Sequence, residues 1–314
     1  MRRRALLLSF LSRAFAAESV YLGLRSAGEQ VVYLSAAGQV LGTVRVGQVA
    51  HHMALSPDKR RLYMTADEAT ATIVDIASRR RIGDISLSDN RRPRGIGVNA
   101  ATGEIAIVTE QPSGLLLIDP SRRIVRKRYD TKGSGPANVT FGPAGSSWAY
   151  VSNTASGTVA AIHTGSGETK IIRTGDRPGG STLSSDGKEL YVPNQASDNI
   201  AIVDTAKQQV SANIITGKGP VSAVVDPAGK TLLYALSKER RVAFADLQQR
   251  QQTDYVLVPA DPVSCSLSTD HRSVLVATTG SVYIISIASR RITAEIKPSD
   301  GFPVGAVLEC GSLA

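Results

Sequence analysis

Tight-turn residues recur along this chain at a nearly constant interval, and no other feature narrows the fold so far. Gly103, Gly145, Gly187, Gly229 and His271 follow one another in steps of 42 residues, and Lys59, in "SPDKRRLY", stands 44 residues before Gly103. A period of about 40 residues marks a blade or solenoid architecture rather than one irregular core. The phrases around the turns return as well: "FGPAGSSWAYVSNTASGTVAAIH" at 141–163 is answered by "LSSDGKELYVPNQASDNIAIVD" at 183–204.

Each unit reads as four short strands. An alternating run such as "PANVTFGP" supplies the first, and Asp186-Gly187 or its equivalent turns the chain into a hairpin. "WAYVSN" or "ELYVPN" is the second strand, and a polar turn leads to "VAAIH" or "IAIVD" as the third. The fourth, "QVSANIIT" or "ETKIIRT", is less apolar and belongs at the rim. Period-2 patterning with no helix between strands describes an antiparallel blade. The 28 Gly and 14 Pro are spread along the chain, as many short turns require. Six units start near Val49, Pro93, Pro136, Pro178, Pro220 and Pro262. "GFPVGAVLEC" at 301–310 has the form of an inner strand with nothing after it, and 19–46 the form of three outer strands with none before them. Pairing the two ends would close the ring without an open edge. The expectation is an all-β, seven-bladed β-propeller of four-stranded antiparallel blades over 17–314, one blade shared between the termini.

"YVSNTASGTVAAIH" and "YVPNQASDNIAIVD" resemble the YVTN-repeat β-propeller family of surface-layer and periplasmic proteins. The likeness is strongest over 135–246 and weakest in the second unit, where "IAIVTEQPSGLLLID" has lost the Tyr and the Asn. It implies the fold and little about activity, since blade repeats are structural. More distantly the chain is similar to the lactonase family of seven-bladed propellers, and to propellers of periplasmic cytochrome nitrite reductases and quinoprotein systems.

At the N-terminus, Arg2, Arg3 and Arg4 precede an apolar stretch from Ala5 to Leu11 and a small-x-small site at Ala14-Phe15-Ala16. That is the layout of a signal peptide over 1–16, too short and too interrupted by Arg13 for a transmembrane anchor. A periplasmic or secreted location is therefore expected. The formal net charge is +9, and removal of the four leader arginines leaves +5. Such a surface attracts anions without marking a nucleic-acid protein. The pairs Arg60-Arg61, Arg79-Arg80-Arg81, Arg122-Arg123, Arg240-Arg241 and Arg290-Arg291 are read as solvated hairpin ends. Cys265 and Cys310 fall at different depths of their strands and are not expected to pair.

Candidate ligand residues gather where inner strands begin. Two places after the opening proline, most units carry a small residue; the first carries His52 and the third Asn138. One place earlier stand His51 and Arg94, and just before the proline stand Arg92, Arg177 and Asp261. Adjacent strand residues face opposite ways, so His51 and His52 do not chelate one metal as a pair. His52 with Arg94, joined by Arg92, Arg177 and Asn138, would suit an anionic or carbonyl-bearing ligand, because guanidinium groups take carboxylates two-handed. His51 and Asp261 complete the set. Asp75, Asp119, Asp204 and Asp246 are turn acceptors, and Tyr63, Tyr150, Tyr191 and Tyr234 blade packing. No phosphate loop, metal-spaced cluster, nucleophile elbow or haem-attachment motif occurs, so no cofactor or metal is expected.

The expected function is that of an exported, non-catalytic binding or scaffold propeller of the cell envelope. It would be a monomer that meets an envelope protein, a glycan or a small anionic ligand at one face. The lactonase resemblance implies a channel site of His, Arg and Glu; this chain offers His51 or His52 with Arg94, but no inner strand opens with a glutamate. Resemblance to the cytochrome-linked propellers implies a haem or quinone near His52. Aromatics make up only 5% of the chain, which disfavours base stacking on nucleic acid.

Overall fold

The computed structural model describes residues 19–25, 30–35, 39–46, 50–66, 69–89, 91–297 and 304–312. Each turn signal in the sequence becomes a hairpin end, and the strands between gather into antiparallel four-stranded sheets. Blade 1 is Ala50–Leu55, Arg61–Ala66, Thr70–Asp75 and Arg80–Ser86, and blade 2 is Arg91–Val98, Ile105–Gln111, Ser113–Asp119 and Ile124–Tyr129. Blades 3 to 6 repeat the order over 136–173, 182–215, 220–257 and 262–296. Pairing runs from inner to outer strand without crossover, so the first and third turns of every blade share a lower face. The second turn and the blade connection share the upper face.

The expected count of seven equivalent blades is corrected to six blades and a partial sheet made from the two ends. In that sheet Val304–Ser312 pairs with Ser19–Arg25, and Gln30–Ser35 with Val40–Arg45, but side chains are described only over 31–35 and 39–46. The blades are also unequal. The inner strand of blade 4 shrinks to Thr182–Leu183, with Pro178 joined to Asn194 by a lone bridge. That of blade 2 starts two residues before its proline, at Arg91. The proposed leader lies outside the described residues, and among the described residues no helix is long and apolar enough to cross a membrane.

Burial explains the composition of each strand. Second and third strands such as Trp148–Asn153 and Thr158–His163 are buried almost throughout, because both faces of a blade press on neighbouring blades. Outer strands such as Gln251–Leu257 alternate between exposed and half-buried. Apolar layers join consecutive sheets: Tyr191, Ile200 and Ile202 pack on Leu232 and Tyr234, and Val108, Leu115 and Leu117 on Val139 and Ala149. The repeated tyrosines are buried as expected, each within 3% of full burial. Asp75, Asp119, Asp204 and Asp246 accept backbone N–H bonds within their turns.

Arginines latch blade to blade at the lower face. The residue ending the third turn sits at positive φ in Arg79, Arg123, Arg250 and Arg290. Arg79 donates to the Leu41 carbonyl and lies 5.4 Å from the Tyr33 ring; Arg250 meets Glu189 at 3.1 Å and Arg290 meets Asp254 at 3.2 Å. Each thus reaches back to the preceding sheet.

Candidate functional site

Inner strands approach one another so closely that glycine is imposed. A Cβ on Gly95 would stand 2.4 Å from the Ala137 carbonyl oxygen and 2.6 Å from the Asn138 Cα. Gly179 meets the Val221 carbonyl in the same way, and the Gly180 N–H donates to it at 3.1 Å. Such contact anchors the neighbouring Arg94 backbone. The ladder of blade 2 is irregular between Pro93 and Ile96, which offsets Arg94 from regular pairing, and the Thr65 hydroxyl of blade 1 donates to the Arg94 carbonyl at 2.5 Å. A second bulge, between Ala50 and His52, takes His51 out of register while His52 stays opposite Thr65.

These two bulges bring His51 and Arg94 together. Arg94 donates from Nε to Glu110 Oε1 at 2.9 Å and from Nη2 to Oε2 at 3.5 Å, a two-handed pair. Its Nη1 lies 3.2 Å from His51 Nε2 and 3.3 Å from Nδ1. Arg92 stands 3.7 Å from the same carboxylate and keeps 55% of its side chain exposed, against 28% for Arg94. Two guanidinium groups therefore share one carboxylate, and the cluster retains a cation. His52 is not part of it. Burial, then the charges of His51 and Arg94, lowers the His52 pKa to about 4, so this imidazole is neutral near pH 7.

The remaining sequence candidates are dispersed. Asn138 lies on the blade 3 inner strand opposite Ser152, beside Gly95. Arg177 is exposed at the start of blade 4, and its carbonyl accepts the Gln195 N–H. Asp261, just before the blade 6 inner strand, forms a 3.1 Å ion pair with Arg240 in the second turn of blade 5. Cys265 is buried as a free thiol against Ser222, and burial pushes its pKa up to about 11; Cys310 has no described side chain.

Glu110 is the residue that motif reading passed over. It enters from the second strand rather than from the start of an inner one. Pro93 faces Thr109 as Pro136 faces Asn153 and Pro178 faces Asn194, so Glu110 takes the place of Thr154 and Gln195. Asn153 and Asn194 are fully buried and donate to the Thr131 and Thr174 carbonyls. In blade 2 Thr109 takes the place of that amide, and the half-buried polar residue that follows it in blades 3 and 4 has become a carboxylate. The signal was the broken repeat itself, since departures from a consistent pattern concentrate at functional sites.

Backbone conformation singles out Arg92 and Arg177. Each precedes a proline with φ near +55°, at 55° and 56°, where blades 3 and 5 use Gly135 and Gly219 at 64° and 71°. A non-glycine residue there costs about 1 kcal/mol or more. Arg92→Gly is therefore expected to leave the unfolding free energy, read from urea titration, within about 1 kcal/mol of the parent, relief of strain offsetting the greater freedom of the unfolded chain. A larger loss would show that the Arg92 side chain holds the fold.

No family model matches the chain, and neither does any curated protein sequence. Solved propellers do. A protein from Desulfotomaculum acetoxidans DSM 771, described as functionally unknown, aligns with a TM-score of 0.80 at 13% identity, over 93% of this chain and 98% of that one. Dihydro-heme d1 dehydrogenase NirN, in complex with DHE, aligns at 0.68 and 13%, over 90% of this chain and 64% of its own. Hydrazine synthase of Kuenenia stuttgartiensis aligns at 0.65 and 19%, over 76% of each. At these identities the likeness shows the propeller fold and nothing finer.

Proposed function

We propose that the upper mouth of the propeller, around Arg94, binds a small ligand bearing a carboxylate or an acidic carbonyl group. The supporting observation is the His51–Arg94–Glu110 cluster with Arg92 alongside. Glu110 holds the Arg94 fork in one orientation, while the surplus cation and the exposed Arg92 are available to an anion. We place the protein among YVTN-type propellers of the envelope on its repeat phrases, and the basic N-terminal stretch supports export.

A second reading gains from Glu110. The lactonase-type alternative needs a carboxylate beside His and Arg, and the second strand supplies it. In that reaction Arg94 would polarise the ester carbonyl while His51 and Glu110 manage the proton of the attacking water. The haem-associated alternative has His52 as its candidate ligand, a neutral imidazole; among the described residues no group of three His, Cys, Asp or Glu side chains gathers.

Native mass spectrometry of the protein recovered from a periplasm, with calorimetric titration of succinate and citrate, tests the binding reading. A bound mass or a carboxylate isotherm that disappears in Arg92→Ala/Arg94→Ala is the expected result. Equal behaviour of both proteins removes the site. Release of acid from γ-butyrolactone, abolished by Glu110→Gln and by His51→Ala at unchanged melting temperature, would move the assignment to the hydrolase.

A further inference from the structure

The lower face carries a charge asymmetry that the channel mouth does not use. In the first and third turns of blades 6, 1 and 2, over 268–273, 286–291, 56–61, 75–81, 99–104 and 119–123, eleven Lys and Arg face five Asp and Glu. The same turns of blades 3, 4 and 5, over 142–148, 163–169, 184–189, 204–209, 226–231 and 246–251, hold four against six. Blades 6, 1 and 2 are contiguous around the ring through the sheet of the two ends. Their turn carboxylates, among them Asp58, Asp75 and Asp270, are engaged by backbone N–H groups. Arg60, Arg80, Arg272 and Arg291 are exposed, and among the described residues none of them has an ion-pair partner within 4 Å.

Exposed aliphatic side chains follow the same arc. Leu41, Ile82, Ile124 and Ile292 are between 36% and 48% exposed, and all lie in the first half of an outer strand, next to the lower turns. Outside the arc, Ile171 is 41% exposed in the middle of the blade 3 outer strand, and in blades 4 and 5 the exposed Ile215 and Leu257 end their outer strands at the upper face. Cations interleaved with aliphatic groups along one edge match an anionic bilayer, whose headgroups attract the former and whose acyl boundary accepts the latter. A soluble polyanion would need only the charge, and a nucleic-acid strand would call for stacking aromatics, whereas all four residues are aliphatic.

We propose that the lower rim of blades 6, 1 and 2 docks the protein on the surface of a membrane containing anionic phospholipid, leaving the channel mouth facing away from it. Electrostatic attraction supplies most of the affinity, and Ile82 and Ile124 set the preference for lipid over other polyanions.

The test is co-sedimentation of the full chain with phosphatidylcholine vesicles, with and without phosphatidylglycerol. Binding only to the phosphatidylglycerol vesicles is expected, and it should fall away between about 0.1 M and 0.5 M salt. The R60A/R80A/R291A variant, whose removed side chains have no ion-pair partner among the described residues, should bind about a hundredfold more weakly, at roughly fivefold per cation. I82S/I124S should lose vesicle binding while keeping any retention on heparin. No binding to phosphatidylglycerol vesicles overturns the proposal. So does unchanged binding of R60A/R80A/R291A, which would assign the attachment to residues 1–16. Equal binding to heparin and vesicles, with I82S/I124S indistinguishable from the parent, would identify a soluble-polyanion site in its place.

Discussion

Gly95→Ala is expected to cost about 3 kcal/mol or more, lowering the melting temperature by roughly 6–12 °C in a chain of this size. The added methyl would meet the carbonyl oxygen of Ala137 at 2.4 Å and the Cα of Asn138 at 2.6 Å. Both are backbone atoms of the next inner strand, so no side chain can swing aside, and two blades must part where they are packed most tightly. The same displacement moves Arg94, one residue away, from Glu110 and His51. Urea unfolding beside Gly103→Ala checks this. At Gly103 a Cβ meets nothing within 4 Å, and only the penalty of φ +72°, about 1–2 kcal/mol, should register. Similar losses in both variants would mean that the inner strands have room to relax.

Acid weakens the fold in two separable stages. Because the folded His52 pKa is lowered from 6.5 to about 4, the unfolded chain takes up a proton first as pH falls. Stability is then complete above about pH 6.5, declines between 6.5 and 4, and changes no further below 4 on account of this group. The full loss is at most on the order of 3 kcal/mol, since part of the His52 surface meets solvent. The turn carboxylates act lower. Asp186, held by the Lys188 N–H and the Ser184 hydroxyl, has its pKa lowered to about 2, and Asp58 and Asp75 are lowered by their turn bonds. Their contribution is complete above about pH 4 and is lost beneath it. Denaturant titrations at pH 7 and pH 4.5 should show a loss of about 2–3 kcal/mol in the parent and little in His52→Gln. Equal losses would assign the slope to other groups.

Blade order, hairpin positions, the buried tyrosines and the turn aspartates were legible because each repeats, and repetition averages away local ambiguity. The number of equivalent blades was not, because the ends of the chain share no unbroken repeat with the rest. The site was half legible. Arg92 and Arg94 stood out as large cations where other blades have small residues, but which histidine joins them depends on a one-residue bulge after Ala50. A bulge exchanges the two faces of a strand and leaves no mark in residue type. Glu110 escaped because attention fell on strand beginnings, while its carboxylate arrives from the strand next door. The basic arc was broken in sequence into pairs some 40 residues apart, each unremarkable alone, and only ring order makes them neighbours.

The position filled by Thr154 in blade 3 and Gln195 in blade 4, but by Glu110 in blade 2, carries a consequence for how such proteins change. Blades 2 to 6 present the same socket to the same mouth, and its packing depends only on the two blades beside it. A new ligand preference can be tried in one socket while the others keep the ring intact. Transplanting the blade 2 residues into blade 3, as Gly135→Arg with Thr154→Glu, would ask whether recognition here is a property of a position that any blade can adopt.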